Sequence, residues 1–449
     1  MDQAIFSLPE PGLYKFDRID PNSKSRIHLR VDEDHSGLLV INASKIIYLN
    51  KTALFMAHLY LNKADQEEAL DFLSDFFEVE ESVLLADYQN TVDSIEALVD
   101  GNSGMCPICD LGLTTNMPFS AKLSAPYRMD LAITYRCNLD CAHCYNARPR
   151  NHPELLTDQW KIIIDKLWEI GIPHVVFTGG EPTLRDDLPE LIAYADQKGM
   201  VTGINTNGTR LGDQAFLDKL IEAGLDHVQI TLESHDPTIH NAMVRRDFAW
   251  AKTIAGLRNV VKSNLYMMTN TTLLTNNYQE LEATLDFLAA EKVPTLGLNA
   301  LIYSGKGKTV QTGLREEELP GLLELAIQKT EKNHQRLIWY TPTQYCHFDP
   351  LMLDLGIKGC TAAYYNMCIE PDGNVIPCQS FYEPVGNMFT NQWAEIWNHP
   401  LCLSLRNRLD IPAECRTCDF LQECGGGCPL ARDHQQPEPI YRDLLIKRS

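Results

Sequence analysis

Three cysteines in the segment TYRCNLDCAHCYN stand at i, i+4 and i+7: Cys137, Cys141 and Cys144. Three thiolates on one short loop can ligate three irons of a 4Fe–4S cube and leave the fourth iron open. An open iron separates a catalytic cluster from one that only carries electrons. A zinc site is the plainer alternative, although zinc favours closely paired C-x2-4-C units with a second pair elsewhere. The distribution of cysteines points to metal as well. Of 14 in the chain, five lie between Cys106 and Cys144 and nine between Cys346 and Cys428, with none between the two groups. Thiols scattered through a core would not cluster in this way.

A second set of candidates lies in FTGGEPTLR, where Gly179, Gly180, Glu181 and Pro182 end a strand. Two glycines let the backbone approach a ligand closely, and Glu181 brings a carboxylate suited to an ammonium group. Two later strands carry polar residues at period two. Asn205 and Asn207 alternate with Ile204 and Thr206; Gln229, Thr231 and Glu233 alternate with Val228, Ile230 and Leu232. One parity shares a face of a strand, and polar groups inside a barrel need partners. A solvated strand edge is the alternative for any one of them.

The C-terminal cysteines form another array. Cys360, Gly373 and Cys378 fit C-x9-15-G-x4-C, and Cys415, Cys418, Cys424 and Cys428 fit C-x2-C-x5-C-x3-C. Cys106 and Cys109 make an isolated C-x2-C, for which a disulfide or a chance pair is as open as ligation. Cys346 and Cys402 have no spacing partner and read as ordinary packed or surface thiols.

The elements that position these residues are legible from periodicity. From Tyr127 onward, strands (MDLAITY, HVVFTGG, VTGINTN, HVQITLE, YMMTNTTLL, TLGLNALIY) alternate with helical stretches such as LTDQWKIIIDKLWEIG. Six βα units in a row imply an α/β fold with a parallel sheet, a partial (β/α)6 barrel of the TIM type, whose ligands gather at the strands' C-terminal ends. Residues 27–100 read differently. Three short strands precede three helices, a winged-helix-like pattern, with Asp65 and Glu68 placed as a capping box. The expected organisation is a small domain over 1–104, a linker over 105–126, a barrel core over 127–340 and a cysteine-rich domain over 341–449.

Charge and hydropathy bound the partners. A formal net charge of −21 argues against nucleic acid, and between Arg26 and Asp100 there are 5 Lys and Arg against 15 Asp and Glu. No apolar run reaches the roughly 18–20 residues needed to span a bilayer. The opening segment lacks a basic n-region and an apolar h-region, so no membrane partner and a cytoplasmic location are expected.

The cysteine triplet closing the first barrel strand, with GGEP at the end of the second, resembles the radical S-adenosylmethionine (SAM) family over residues 127 to about 340. The resemblance implies that Cys137, Cys141 and Cys144 hold a catalytic 4Fe–4S cluster. It implies that Gly179, Gly180, Glu181 and Pro182 bind the amino group of SAM. Thr231, Glu233 and Ser234 would face its ribose, with Asn205 and Asn207 nearby, and Arg245 would meet its carboxylate. The family often shows Ser-Leu-Asp where this chain has Thr-Leu-Glu.

The C-terminal array resembles the SPASM extension, which holds one or two auxiliary iron–sulfur clusters. On that resemblance Cys360, Cys378 and Cys428, with Cys368 as a fourth, hold one cluster; Cys415, Cys418 and Cys424 hold the other. The family takes its last ligand from a cysteine further on, and none follows Cys428. His434, Asp433, Cys106, Cys109 or an exchangeable ligand are the substitutes. The N-terminal pattern resembles the PqqD-like peptide-recognition domain, which adds a leader peptide as a strand to a sheet edge.

Together these resemblances imply reductive cleavage of SAM to a 5′-deoxyadenosyl radical, with electrons from a donor such as a flavodoxin or ferredoxin. They imply oxidative modification of a ribosomally made precursor peptide, for example a cross-link. Three alternatives stand beside it. A sulfatase-maturing enzyme would carry an Asp after the G-x4-C cysteine, where this chain has Gln379. A tetrapyrrole or other small-molecule substrate is another, and a non-catalytic peptide-binding scaffold is the third.

Overall fold

The computed structural model describes residues 8–20, 23–43, 45–100, 122–432 and 434. They form two compact units. One takes the described residues up to Tyr127 with Asp165–Pro173 and Gly199–Val201; the other takes Arg128–Ile164, His174–Lys198 and the described residues from Thr202. The linker pair Cys106 and Cys109 lies outside the described residues.

In the first unit a meander of four antiparallel strands precedes three helices. The strands are β1 (Gly12–Asp20), β2 (Ser23–Val31), β3 (Gly37–Ile41) and β4 (Lys45–Leu49), in the order β1-β2-β3-β4. The helices are α1 (Lys51–Leu61), α2 (Gln66–Ser74) and α3 (Glu81–Asp100). Strand β1 adds to the three read from the sequence. Its Tyr14 and Phe16 pack on the core while Lys15 pairs with Asp17 at 2.9 Å. A half-charged edge strand of this kind carries little apolar signal. The capping box forms as expected: Asp65 accepts from the Glu68 N–H at 2.9 Å, and the Asp65 N–H donates to the Glu68 carboxylate at 3.4 Å. Leu54, Phe55, Leu59 and Leu73 join Leu29, Leu39 and Ile41 of the sheet in one core, so this unit has a hydrophobic centre of its own.

The second unit is built on a ten-stranded sheet. From Arg128 on, the elements in chain order are β5 (Arg128–Thr134), α4 (Thr157–Ile170), β6 (His174–Gly179), α5 (Leu188–Lys198), β7 (Val201–Thr206), α6 (Gln214–Glu222), β8 (His227–Thr231), α7 (Pro237–Val244), α8 (Ala249–Val261), β9 (Tyr266–Thr272), α9 (Leu281–Ala290), β10 (Thr295–Asn299), α10 (Leu319–Lys332) and β11 (Arg336–Trp339). After these come β12 (Asn366–Ile369), β13 (Asn374–Ile376), β14 (Gly386–Asn387), α11 (Trp393–Trp397), α12 (Pro400–Arg406) and α13 (Leu421–Cys424). The six expected barrel strands are present, and β11 adds a seventh, parallel to β10. Helices carry their apolar residues at helical spacing: Leu188, Leu191, Ile192 and Ala195 of α5 are all fully buried.

The C-terminal region continues this sheet. Strand β12 runs parallel to β5, pairing Asn366 with Arg128 and Ile369 with Leu131, and β13 and β14 follow antiparallel. Strand β5 is buried along Met129–Thr134, so its backbone groups on that side need a partner, and β12 supplies it. The barrel strands and the C-terminal cysteines therefore share one compact unit. Among the described residues no helix is long and apolar enough to cross a membrane.

Candidate active site and the two cysteine regions

The cysteine loop leaves β5 three residues before Cys137 and is tied down by three other elements. Asp140 and Ala142 donate their N–H groups to the carbonyls of Val244 and Met243 at the end of α7, at 3.1 and 2.9 Å. Asn138 donates to the Thr209 hydroxyl and accepts from the Asn207 amide, each at 2.7 Å, which ties the loop to the exit of β7. Lys306, after β10, donates its N–H to the Cys144 carbonyl at 2.9 Å. Cys137, Cys141 and Cys144 are half-buried. Burial raises the Cys141 thiol well above its ordinary value, and the neighbouring Cys144, Glu233 and Cys137 charges raise it further. Three close thiols cannot all ionise without a compensating cation, and an iron–sulfur cluster supplies one. The donor set fits the implied cluster.

The glycines of GGEP have a use the sequence reading did not assign. A Cβ on Gly179, where φ is +136°, would stand 2.0 Å from the Thr134 carbonyl oxygen; one on Gly180 would stand 2.3 Å from that of Arg136. The approach they permit is to the backbone that leads into Cys137. Gly180 and Glu181 then donate their N–H groups to Thr134 and Arg136 at 2.7 and 2.9 Å. The Glu181 carboxylate is 1% exposed and already engaged. It accepts from the Thr183 N–H (3.1 Å) and hydroxyl (2.6 Å), the Thr206 hydroxyl (2.6 Å) and the Asn207 N–H (2.8 Å). Burial pushes its pKa up, and these four donors oppose the shift. Pro182 opens the short turn that Glu181 caps.

The other candidates divide. Glu233, 1% exposed, pairs with His143 at 2.9 Å and accepts from the Thr272 N–H at 3.0 Å. Ser234 is fully buried and accepts from the Asp236 N–H at 3.1 Å, a turn bond. Asn205 and Thr231 are half-buried on β7 and β8. Arg245 is exposed at the end of α7, lines an open cleft of about 800 Å³ with Asn241 and Arg246, and lies in electrostatic reach of Asp140. The sequence reading left out Thr206, His143 and the Asn299–Asn270 bond of 3.0 Å inside the barrel. Thr206 lies on the parity assigned to the apolar face, while His143 could have been noticed from its place between two of the three cysteines.

In the C-terminal region Cys360, Cys378 and Cys428 gather together. The Cys378 thiol is raised by burial and then by Cys360 and Cys428, and Cys428 is pushed up to about 12 by burial and Cys360. Cys368 is fully buried on β12 and packs with Ala132, Tyr135 and Ile376, with Cys378 in electrostatic range. Cys415, Cys418 and Cys424 form the outer group. Cys402 is a buried core thiol, as read from the sequence; Cys346 is not an isolated one, since the Tyr345 N–H beside it meets the Cys424 sulfur at 3.4 Å. His434 stacks on Tyr303 at 4.5 Å with an interplanar angle of 6°, and Asp433 lies outside the described residues. Among the described residues no three His, Cys, Asp or Glu side chains close round a point as they would about a single ion.

Side-chain bonds from Tyr145 and Arg148 join the cysteine regions. The Tyr145 hydroxyl, next to Cys144, donates to the Gln379 side chain, next to Cys378, at 3.1 Å. Arg148 grips the buried Glu370 carboxylate with bonds of 2.6 and 2.8 Å, a bidentate geometry.

A half-open parallel barrel with a thiol triplet over its first strand, flanked by further thiols on an extension of the same sheet, defines an enzyme of the iron–sulfur radical class. The chain belongs to the radical SAM superfamily: residues 131–288 match that family and residues 360–419 match the SPASM iron–sulfur cluster-binding domain. Its cofactors are SAM, a 4Fe–4S cluster and auxiliary iron–sulfur clusters.

Among its relatives, Fe-coproporphyrin III synthase of Methanosarcina barkeri is 30% identical, covering 66% of this chain and 81% of its own. PqqA peptide cyclase of Granulibacter bethesdensis is 29% identical, covering 68% and 83%. Streptococcus suis SuiB, solved with its precursor peptide SuiA, is similar in structure with a TM-score of 0.67 at 17% identity, covering 92% of this chain and 96% of that one.

Proposed function

We propose that this radical SAM enzyme modifies a ribosomally made precursor peptide, held by an edge of the four-stranded N-terminal sheet. Cys137, Cys141 and Cys144 would hold the catalytic cluster, and the turn at Gly179–Pro182, with Asn207 and Glu233, would frame SAM. When bound, SAM and the reduced cluster supply homolytic chemistry able to break an unactivated C–H bond. The residues of this chain do the positioning. Glu181 clamps the exits of β6 and β7 to each other, Asn138 and Asn207 hold the cysteine loop over them, and Glu233 anchors His143 from β8. A flavodoxin or ferredoxin would deliver the electron.

The observation that carries the peptide reading is the N-terminal unit. Among the described residues, strands β1 and β4 each have one neighbour in their sheet, so each presents an edge to which a strand could add. SuiB resembles 92% of this chain, a share that cannot leave out the whole of residues 1–126. Deleting residues 1–104 is expected to leave reductive SAM cleavage intact and to abolish modification of the precursor, read by mass spectrometry. Equal modification by the truncated enzyme would defeat the assignment.

A tetrapyrrole reading rests on the 30% identity to Fe-coproporphyrin III synthase, against 29% for the peptide cyclase. Sequence identity does not separate the two. Formation of Fe-coproporphyrin III by the purified enzyme, unaffected by the deletion, would favour the second.

A further inference from the structure

The outer C-terminal group has three cysteines with regular spacing, Cys415, Cys418 and Cys424, and a closed cube takes a fourth thiolate. The chain upstream does offer one. Residues Gln344–Phe348, just beyond β11, form a tight turn in which His347 and Phe348 donate N–H groups to the Gln344 carbonyl at 2.8 and 3.0 Å. Glu316, 3% exposed, pins the turn by accepting from the Gln344 N–H at 3.1 Å and pairing with His347 Nδ1 at 2.9 Å. Cys346 sits in the middle of this turn and is exposed.

The turn lies against the cysteines of the outer group. The Tyr345 N–H donates to the Cys424 sulfur at 3.4 Å, and the Cys424 thiol reaches the Thr343 carbonyl at 3.7 Å. A Cβ on Gly427, where φ is +72°, would stand 2.8 Å from Gln344 Cγ and 3.2 Å from Gln344 N, so only glycine lets the two segments meet this closely. The Tyr345 ring packs 6.3 Å from Phe420. Electrostatics agree with the contacts. Burial raises the Cys415 and Cys424 thiols first, and the charge of the Cys346 sulfur adds to both. Of the other substitutes, His434 is stacked on Tyr303, while Asp433, Cys106 and Cys109 lie outside the described residues.

We propose that Cys346 is the fourth thiolate of the outer auxiliary iron–sulfur cluster, completing Cys415, Cys418 and Cys424. The last ligand thus comes from upstream of the array, on the turn after the barrel's final strand. Four thiolates leave that cluster no open iron, so its task is to pass electrons rather than to bind substrate. The inference is independent of what the substrate is.

The test needs neither substrate nor activity. In full-length protein carrying Cys137→Ala, Cys141→Ala and Cys144→Ala, so that only auxiliary clusters remain, iron and sulfide are counted after anaerobic reconstitution. Paramagnetic resonance spectra of the reduced protein are recorded alongside. Cys346→Ala is expected to lower bound iron and to remove the spectral component that Cys415→Ala removes, leaving the one that Cys428→Ala removes. Cys402→Ala is the control and should change neither. Cys346→Ser keeps the side chain's size, so an altered outer component in a variant with unchanged circular dichroism supports ligation without a folding defect. Unchanged iron and spectra in both Cys346 variants would overturn the assignment. So would loss of the Cys428-dependent component, or zinc in place of iron in the outer group.

Discussion

The two cysteine regions are assembled in opposite ways. Cys137, Cys141 and Cys144 come from one eight-residue stretch and are held by side-chain and backbone bonds from β7, α7 and the segment after β10. The C-terminal thiols are spread from Cys346 to Cys428, and backbone turns and a strand added to β5 bring them together. A local ligand set needs a rigid frame around it, because one flexible loop can present three thiols in many arrangements. A dispersed set needs its chain segments brought together, and once they are packed the thiols have little freedom left. Buried carboxylates serve both regions, but Glu181 and Glu233 tie strand exits to the frame of the first, whereas Glu316 in the second pins a single tight turn.

That contrast is broken or sharpened by four measurements. The largest effect is expected from Cys137→Ala, Cys141→Ala and Cys144→Ala together. Formation of 5′-deoxyadenosine under dithionite should fall to background while C-terminal iron persists; wild-type rates in the triple variant would place the catalytic cluster elsewhere. Glu181→Ala comes next, since it orphans four donors, three of them on the buried Thr183 and Thr206. At about 1–3 kcal/mol for each unsatisfied buried group, partly relieved by relaxation, a loss of about 4 kcal/mol is expected in chemical denaturation. A loss below about 1 kcal/mol would show that the frame does not depend on this carboxylate.

The third measurement concerns pH. His240 Nδ1 accepts from the Glu233 N–H at 3.2 Å, which only the neutral ring can do. Burial lowers its pKa from 6.5 to about 4, with Glu233 opposing the shift and His143 adding to it. Between pH 6.5 and about 4 the unfolded chain binds the proton and the folded one does not. This contribution is therefore complete above about 6.5 and is lost as pH falls through about 4, a change of about 3 kcal/mol. His240→Gln should flatten the stability profile over that window, and an unchanged slope would remove this histidine from the frame. The smallest effect is expected from Tyr145→Phe, which removes the bond to Gln379 between the regions. A loss of about 1 kcal/mol in thermal denaturation is expected. A loss several times larger would mean that the two regions depend on each other more than one hydrogen bond allows.

Much of the fold was legible because its periods are regular. The βα alternation, the capping box at Asp65 and Glu68, and the strands over Ile27–Asn50 follow from patterns a few residues long. Strand β1 was not legible, since its Tyr14 and Phe16 are interrupted by the charged Lys15 and Asp17 and give little apolar signal. Strand β12 was not either: NMCI is four residues long, and its pairing with β5 joins positions more than two hundred apart. At the site, the thiol triplet and GGEP stood out by spacing, but the hydrogen bonds of Glu181 did not. Its carboxylate, expected to await an ammonium group, is met by Thr183, Thr206 and Asn207, one of them on a face read as apolar.

By itself the sequence pointed to the class of this protein, because three thiols at this short spacing can hold an open-iron cluster and resemble the radical SAM motif, and short spacings survive without a structure. It determined the order of the elements as well, since hydrophobic period follows from the local geometry of helix and strand. Only the tertiary structure decided which cysteines stand together at the C-terminal end. Cys346 and Cys424 are separated by 78 positions, and no periodicity extends that far; a turn pinned by Glu316 and packed on Gly427 sets the N–H of Tyr345, the neighbour of Cys346, on the Cys424 sulfur.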